Sequence, residues 1–217
     1  MKPGALFDWD GVIIDSSRQH ETSWEMLADE IGKPLPPGHF VQGFGMKNQV
    51  IIPNILKWTE DPAEIERYSL RKEALYREII QREGISPLPG VGALLDVLAA
   101  HGVPCAVASS THRENIETVF DAIGLRSRFR AVVTGEDVAH GKPDPEVFLT
   151  AAARIGCEPG DCVVFEDALV GIEAGRAAGS RVIAVATTNP IEALGGADLA
   201  VPSLEAVTWQ SFRGLLG

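Results

Sequence analysis

Short apolar runs and helical periodicities alternate along most of the chain. Residues 4–7 (Gly-Ala-Leu-Phe) make an apolar run that stops at Asp8, the pattern of a buried strand. Further runs of this kind occur at Val103–Ala108, Ala131–Val133, Cys162–Phe165, Val182–Ala186 and, more weakly, Leu199–Val201. Helical spacing fills the gaps. Gly90–His101 carries Val91, Leu94, Leu95 and Leu98 at i, i+3, i+4, i+7 and closes at Gly102. Asp144-Pro145 reads as an N-cap followed by proline in the first helical position, and Ala168–Ala178 is a further helix ended by Gly179. Strand-then-helix alternation from residue 90 onward predicts an α/β fold. Its core is a doubly wound parallel sheet covered on both faces, with ligands gathered at the carboxyl ends of the strands.

Residues 16–85 break that alternation. Here helix follows helix: Ser17–Ile31 stopped by Gly32, a stretch near Lys47–Lys57, and a long charged segment from about Asp61 to Arg82. The pattern predicts an α-helical domain, 16–85, inserted into an α/β core made of residues 1–15 and 86–217. The joints fall at Asp15–Ser17 and at Glu83–Gly90, the second rich in Gly and Pro. Two joints on one inserted block are expected to permit hinge motion.

Composition narrows the partners. Of 217 residues, 19 are Lys or Arg and 30 are Asp or Glu, a net charge of −11 that argues against non-specific binding to nucleic acid or anionic membrane. No apolar run reaches the roughly 18 residues of a membrane span. The N-terminal MKPGALFDWDG meets charge too early for a signal peptide. The three cysteines, Cys105, Cys157 and Cys162, show neither paired nor ligand-like spacing, so they read as small core residues in a reduced compartment. A cytoplasmic protein is expected.

The chemistry collects at four strand ends. The first run delivers Asp8 and Asp10, two residues apart and so facing the same way in an extended segment, followed by Gly11 for a tight turn. Two carboxylates this close favour a bound divalent cation or one raised pKa. Val103–Ala108 ends in Ser109, Ser110 and Thr111, hydroxyls beside backbone N–H groups suited to an anion. Lys142 stands before Pro143 and a helix start. Finally, Val163-Val164-Phe165 ends in Glu166 and Asp167. In a doubly wound sheet these ends converge on one crevice.

At these residues the chain resembles the haloacid dehalogenase-like hydrolase superfamily, in its helical-cap branch, and within it the beta-phosphoglucomutase-like phosphatases and mutases. The resemblance covers essentially the whole chain and implies a Rossmann-like core with an inserted cap. It implies Asp8 as the nucleophile that takes the phosphoryl group, and Asp10 as the acid and base. Ser109 and Lys142 are implied to hold phosphoryl oxygens. Mg²⁺ would be bound by Asp8, the Asp10 carbonyl and Asp167, with Glu166 as a ligand or its neighbour. Dehalogenases lack the second Asp, so Asp10 favours phosphate-ester chemistry.

The cap is where substrate choice is expected. His20, Trp24, Leu27, Ala28 and Ile31 share one helical face, and the His20–Trp24 spacing looks like that of the beta-phosphoglucomutase group, whose first cap helix looks toward the substrate; His20 is expected to line the pocket, with Trp24 supporting it. Gly45-Met46-Lys47-Asn48 stands where mutases of the group carry an Arg for a second phosphate; Asn48 and Lys47 depart from that. Lys72 stands where a cap Lys is common in the group. Trp9, bulkier than the usual aliphatic residue, is expected to shape the leaving-group side. The expectation is a monomeric Mg²⁺-dependent phosphatase of small phosphorylated metabolites, sugar phosphates foremost. The alternatives are a hexose-phosphate mutase and, from another class, a non-catalytic phosphate-binding module.

Overall fold

A computed structural model describes residues 2–43 and 46–217, which leaves Gly45 of the expected cap loop outside the described residues. The chain divides into two compact units, Met1–Asp15 with Ile85–Gly217, and Ser16–Gly84. In the first, β1 (Gly4–Phe7), β2 (Cys105–Ala108), β3 (Ala131–Val133), β4 (Cys162–Glu166), β5 (Arg181–Val185) and β6 (Leu199–Val201) form a parallel sheet ordered β3-β2-β1-β4-β5-β6. The order reverses between β1 and β4, the point at which such sheets open a crevice.

Apart from Glu166 and Arg181 at strand ends, the strands are apolar because both faces of the sheet are covered. Leu6 faces a core of Val164, Val147, Phe148, Ala151 and Ile172, contributed in part by α7 (Glu146–Ile155) and α8 (Leu169–Ala177). Phe7, one residue on, faces the other way. It stacks on Phe165 at 4.4 Å and meets Phe129 edge-on at 5.8 Å. Fully burying one such ring is worth about 1.5–3 kcal/mol. Trp9 continues this second face: it is wholly buried and packs edge-on against Phe120 at 4.6 Å. The expectation that Trp9 shapes the leaving-group side is therefore corrected. The alternation that turns one side chain outward turns the next inward.

Phe120 lies on α6 (Arg113–Ile123), a helix the sequence reading does not name. Two more helices, α5 (Val91–Ala100) and α9 (Trp209–Gly214), complete this unit's α-helices among the described residues. The start of α7 is one residue later than expected: Pro145 occupies the N-cap, while Asp144 Oδ1 still accepts from Glu146 N at 3.0 Å. All three cysteines are buried and unbridged, and burial pushes the Cys105 and Cys162 thiols up to about 12, the behaviour of inert core residues.

The second unit holds α1 (Ser17–Ile31), α2 (His39–Gly43), α3 (Asn48–Val50) and α4 (Pro62–Glu83). Gly32 ends α1 in the left-handed conformation, and Asp61 caps α4 by accepting from Ala63 N at 2.9 Å. The helix expected over Lys47–Lys57 is instead a single turn running into a π-helical segment, Ile51–Leu56. Pro53 is the local cause, since it has no N–H for a regular ladder. Trp24, Leu27, Ile51, Ile52, Leu56, Trp58 and Leu75 form this unit's own core. Among the described residues no helix is long and apolar enough to cross a membrane.

Candidate active site

Parallel registration of β1 with both β2 and β4, through Phe7 opposite Val107 and Phe165, brings the three following loops together. After β1 the chain turns at once. Gly11 adopts φ 79°, and its N–H donates to Ile14 O at 2.7 Å. A Cβ at Gly11 would lie 1.9 Å from Asp167 Oδ2, so the turn works only because residue 11 has no side chain.

Lys142 Nζ lies 2.8 Å from Asp8 Oδ1 and 2.6 Å from Glu166 Oε1, with the three side chains almost wholly enclosed. Glu166 Oε2 accepts from the backbone N–H of Asp167 and Ala168, both at 2.9 Å. Glu166 thus holds Lys142 through one oxygen and the backbone after β4 through the other. Asp167 Oδ2 accepts from the Thr188 hydroxyl, and its carbonyl accepts from Asn189 Nδ2 at 2.9 Å. Thr188 and Asn189 were not anticipated. They follow the end of β5, and polar residues at one more strand end were the available signal.

The charges do not balance. Burial pushes Asp8 well above the usual carboxylate range; Lys142 opposes this, while Glu166 and Asp167 add to it. Burial, then Glu166, raises Asp167 to about 7. Burial would lower Lys142, but Asp8 and Glu166 more than reverse that and hold it protonated. Three carboxylates around a single ammonium therefore leave excess negative charge in a dry place. One ligand atom from each of Asp8, Glu166 and Asp167 lies within 4.8 Å of the others. An all-oxygen, over-charged cluster of this kind fits a hard divalent cation such as Mg²⁺.

Ser109 and Thr111 form the facing loop. Ser109 N donates to Val133 O at 3.0 Å, and Thr111 N donates to Ser109 Oγ at 3.1 Å. Because Ser109 Oγ accepts there, its own hydrogen remains available to an anion. The Thr111 hydroxyl donates to Asp10 Oδ2 at 2.6 Å. Ser110 is exposed, with Gly135 closely packed on its carbonyl: a Cβ at Gly135 would sit 2.6 Å away. Behind the loop, Glu136 accepts from Arg113 N at 3.2 Å, and Asp137 pairs with Arg113 at 2.5 Å and Arg154 at 2.8 Å.

Of the residues expected at the site, Asp8, Asp10, Ser109, Thr111, Lys142, Glu166 and Asp167 thus stand in two contiguous networks of the α/β unit. A family profile described as haloacid dehalogenase-like hydrolase matches residues 3–179. The chain belongs to this family. Among relatives of the hydrolase, a chloroplastic 5-amino-6-(5-phospho-D-ribitylamino)uracil phosphatase of Arabidopsis thaliana is 36% identical over 94% of this chain, which spans 55% of that protein's length. Beta-phosphoglucomutase of Bacillus subtilis is 32% identical over 96% of both chains. The crystal structure of a family IA, variant 3 hydrolase from Entamoeba histolytica superposes with a TM-score of 0.89 at 26% identity, covering 99% of both chains.

The hydrolase's helical unit gathers most of the other expected residues. Lys72, almost fully buried, lies 2.7 Å from His20 Nδ1 and 3.1 Å from Glu73 Oε1, and stands over the Trp24 ring at 5.5 Å. His20 stacks on Tyr76 at 4.2 Å. Asn48 Nδ2 donates to Glu73 Oε1 at 2.7 Å and to Ser69 Oγ at 3.1 Å. Lys47 is exposed at the N-cap of α3, apart from this cluster. Glu73, Ser69 and Tyr76 were missed; Ser69 and Tyr76 lie three residues before and four after Lys72, positions that helical spacing puts on its face.

Proposed function

We propose that this hydrolase is a Mg²⁺-dependent phosphatase of small phosphorylated metabolites, sugar phosphates foremost. The observation that carries the reading is Asp8 held against Lys142 while Asp10, two residues on, is held separately by Thr111. Asp8 attacks phosphorus and the ester P–O bond breaks. Asp10 gives its proton to the departing oxygen, then takes one from the water that attacks the aspartyl-phosphate, which breaks the Asp8 oxygen–phosphorus bond and releases inorganic phosphate. Ser109 and Lys142 hold phosphoryl oxygens and their charge. Asp8, Asp167 and the Asp10 carbonyl would hold the cation, which neutralises phosphate charge when bound. Glu166 positions Lys142. The net charge of −11 is no obstacle, because the acids at the site are offset locally by Lys142 and the cation.

In the helical unit His20, Trp24, Asn48, Lys72 and the exposed Lys47 select the rest of the substrate, and Ser110 of the α/β unit contributes to binding it. Relatives named hexitol phosphatase A and fructose-1-phosphate phosphatase, both from Escherichia coli, support a sugar phosphate. The relative named beta-phosphoglucomutase supports a second reading, a hexose-phosphate mutase. Glu73 weighs against it: its buried carboxylate neutralises Lys72 and takes the Asn48 amide, leaving little there to grip a second phosphate.

Phosphate release from a panel of metabolites, with Mg²⁺ and with EDTA, tests the proposal. EDTA-sensitive release is expected; none from any ester would overturn it. Beta-glucose 1-phosphate with a bisphosphate primer separates the readings, since isomerisation without free phosphate would favour the mutase.

A further inference from the structure

Thr111 has two hydrogen-bond donors, its N–H and its hydroxyl, and both are committed: one to Ser109 Oγ at 3.1 Å, the other to Asp10 Oδ2 at 2.6 Å. A phosphoryl oxygen accepts hydrogen bonds and offers none, so Thr111 in this arrangement has nothing with which to bind it. The expectation that Thr111 touches substrate does not follow from these contacts. What they do is join two loops. β1 and β2 run parallel with Phe7 opposite Val107, and three or four residues further along each chain Thr111 ties the loop of Ser109 to that of Asp10.

We propose that Thr111 is a positioning residue that sets the Asp10 carboxylate in register with the Ser109 hydroxyl, so that proton transfer and phosphoryl binding are aligned by one side chain. Its own anchorage is firm. Ser109 N is held by Val133 O, Arg113 N by Glu136 Oε2, and Gly135 packs closely on the Ser110 carbonyl. Asp10 is thereby referred to a braced loop. The β-branched threonine adds a restricted χ1 that serine lacks.

This inference rests on Asp10 being the acid and base proposed above, and the test separates the two. The full chain with Mg²⁺ is assayed on phosphate esters ranging from p-nitrophenyl phosphate to simple alkyl phosphates, reading kcat/KM, which reports transfer to Asp8. An alkoxide needs its proton at departure; nitrophenolate does not. Thr111→Val is expected to lose about 10- to 100-fold on alkyl esters and under about threefold on p-nitrophenyl phosphate, the scale of a displaced general acid. Inhibition by inorganic phosphate stays unchanged, and Thr111→Ser recovers most of the loss. Thr111→Ala carries the same expectation should the valine variant not fold. A uniform loss across the panel with weakened phosphate inhibition would overturn the proposal and make Thr111 a phosphate ligand; no loss on any ester would overturn it equally. If Asp10→Asn leaves alkyl esters unaffected, it is the reading of Asp10 that fails.

Discussion

Gly171, in the first turn of α8, sets two physical effects against each other. Replacing it with alanine gains helix propensity, up to about 1 kcal/mol in a helix interior. Yet the added Cβ would lie 1.7 Å from Glu166 Oε1 and 2.0 Å from Glu166 Cδ, so the carboxylate has to leave. It is fully buried, with Lys142 at 2.6 Å and two backbone N–H groups at 2.9 Å. Opening a buried ion pair costs about 3–5 kcal/mol. Subtracting the propensity gain leaves a net loss of about 2–4 kcal/mol, or about 5–15 °C in Tm for a chain of this size. Gly92 in α5 is the control, since a Cβ there meets nothing within 4 Å. Gly92→Ala is expected to match or slightly exceed the wild-type Tm. Thermal unfolding by circular dichroism, with phosphate release measured in parallel, reads both variants. Gly171→Ala melting at or above wild type with full activity would refute the reasoning, because the clash is what carries the sign.

Three further outcomes follow from other parts of the molecule. Asp167 is raised to about 7 by burial and Glu166, so below that pH a cation must displace a proton; Mg²⁺ affinity should rise with pH through about 7, with proton release visible by calorimetry in buffers of different ionisation heat. A flat affinity across that window would contradict this. At Asp137 burial acts upward, but Arg154, Thr134 and Arg113 outweigh it and hold the carboxyl at about 2. Because the folded pKa is depressed, the stabilisation is present above the unfolded value near 4 and is lost as pH falls through about 2; Asp137→Asn should cost about 1 kcal/mol at pH 7, less as acid is added, by denaturant titration. Glu73→Gln removes the carboxylate 3.1 Å from Lys72 and is expected to raise the kcat/KM ratio of a hexose bisphosphate over a hexose monophosphate by about tenfold; an unchanged ratio would remove Glu73 from substrate selection.

The strands were legible because burial on both faces strips them of polar residues, and the acids at their ends stand out against that background. Helices were less so. α6 shows Ile116, Val119, Phe120 and Ile123 at helical spacing, yet its start is crowded with polar residues that also read as loop. At Lys47–Lys57 the apolar content suggested a helix, but Pro53 changes the hydrogen-bond pattern without removing the apolar face. The site shows the same division more sharply. Spacing along the chain says which strand end bears Asp10, Thr111 or Glu166, but not which hydrogen bonds each has already made. Thr111 looked like a substrate ligand by position, whereas both of its donors are already engaged, and Glu166, read as a ligand or its neighbour, proves also to hold Lys142 and two backbone N–H groups. The glycines encode part of this. Gly11 and Gly171 lie where a methyl group would strike Asp167 and Glu166, so each marks a point at which a motif carboxylate lies against the backbone.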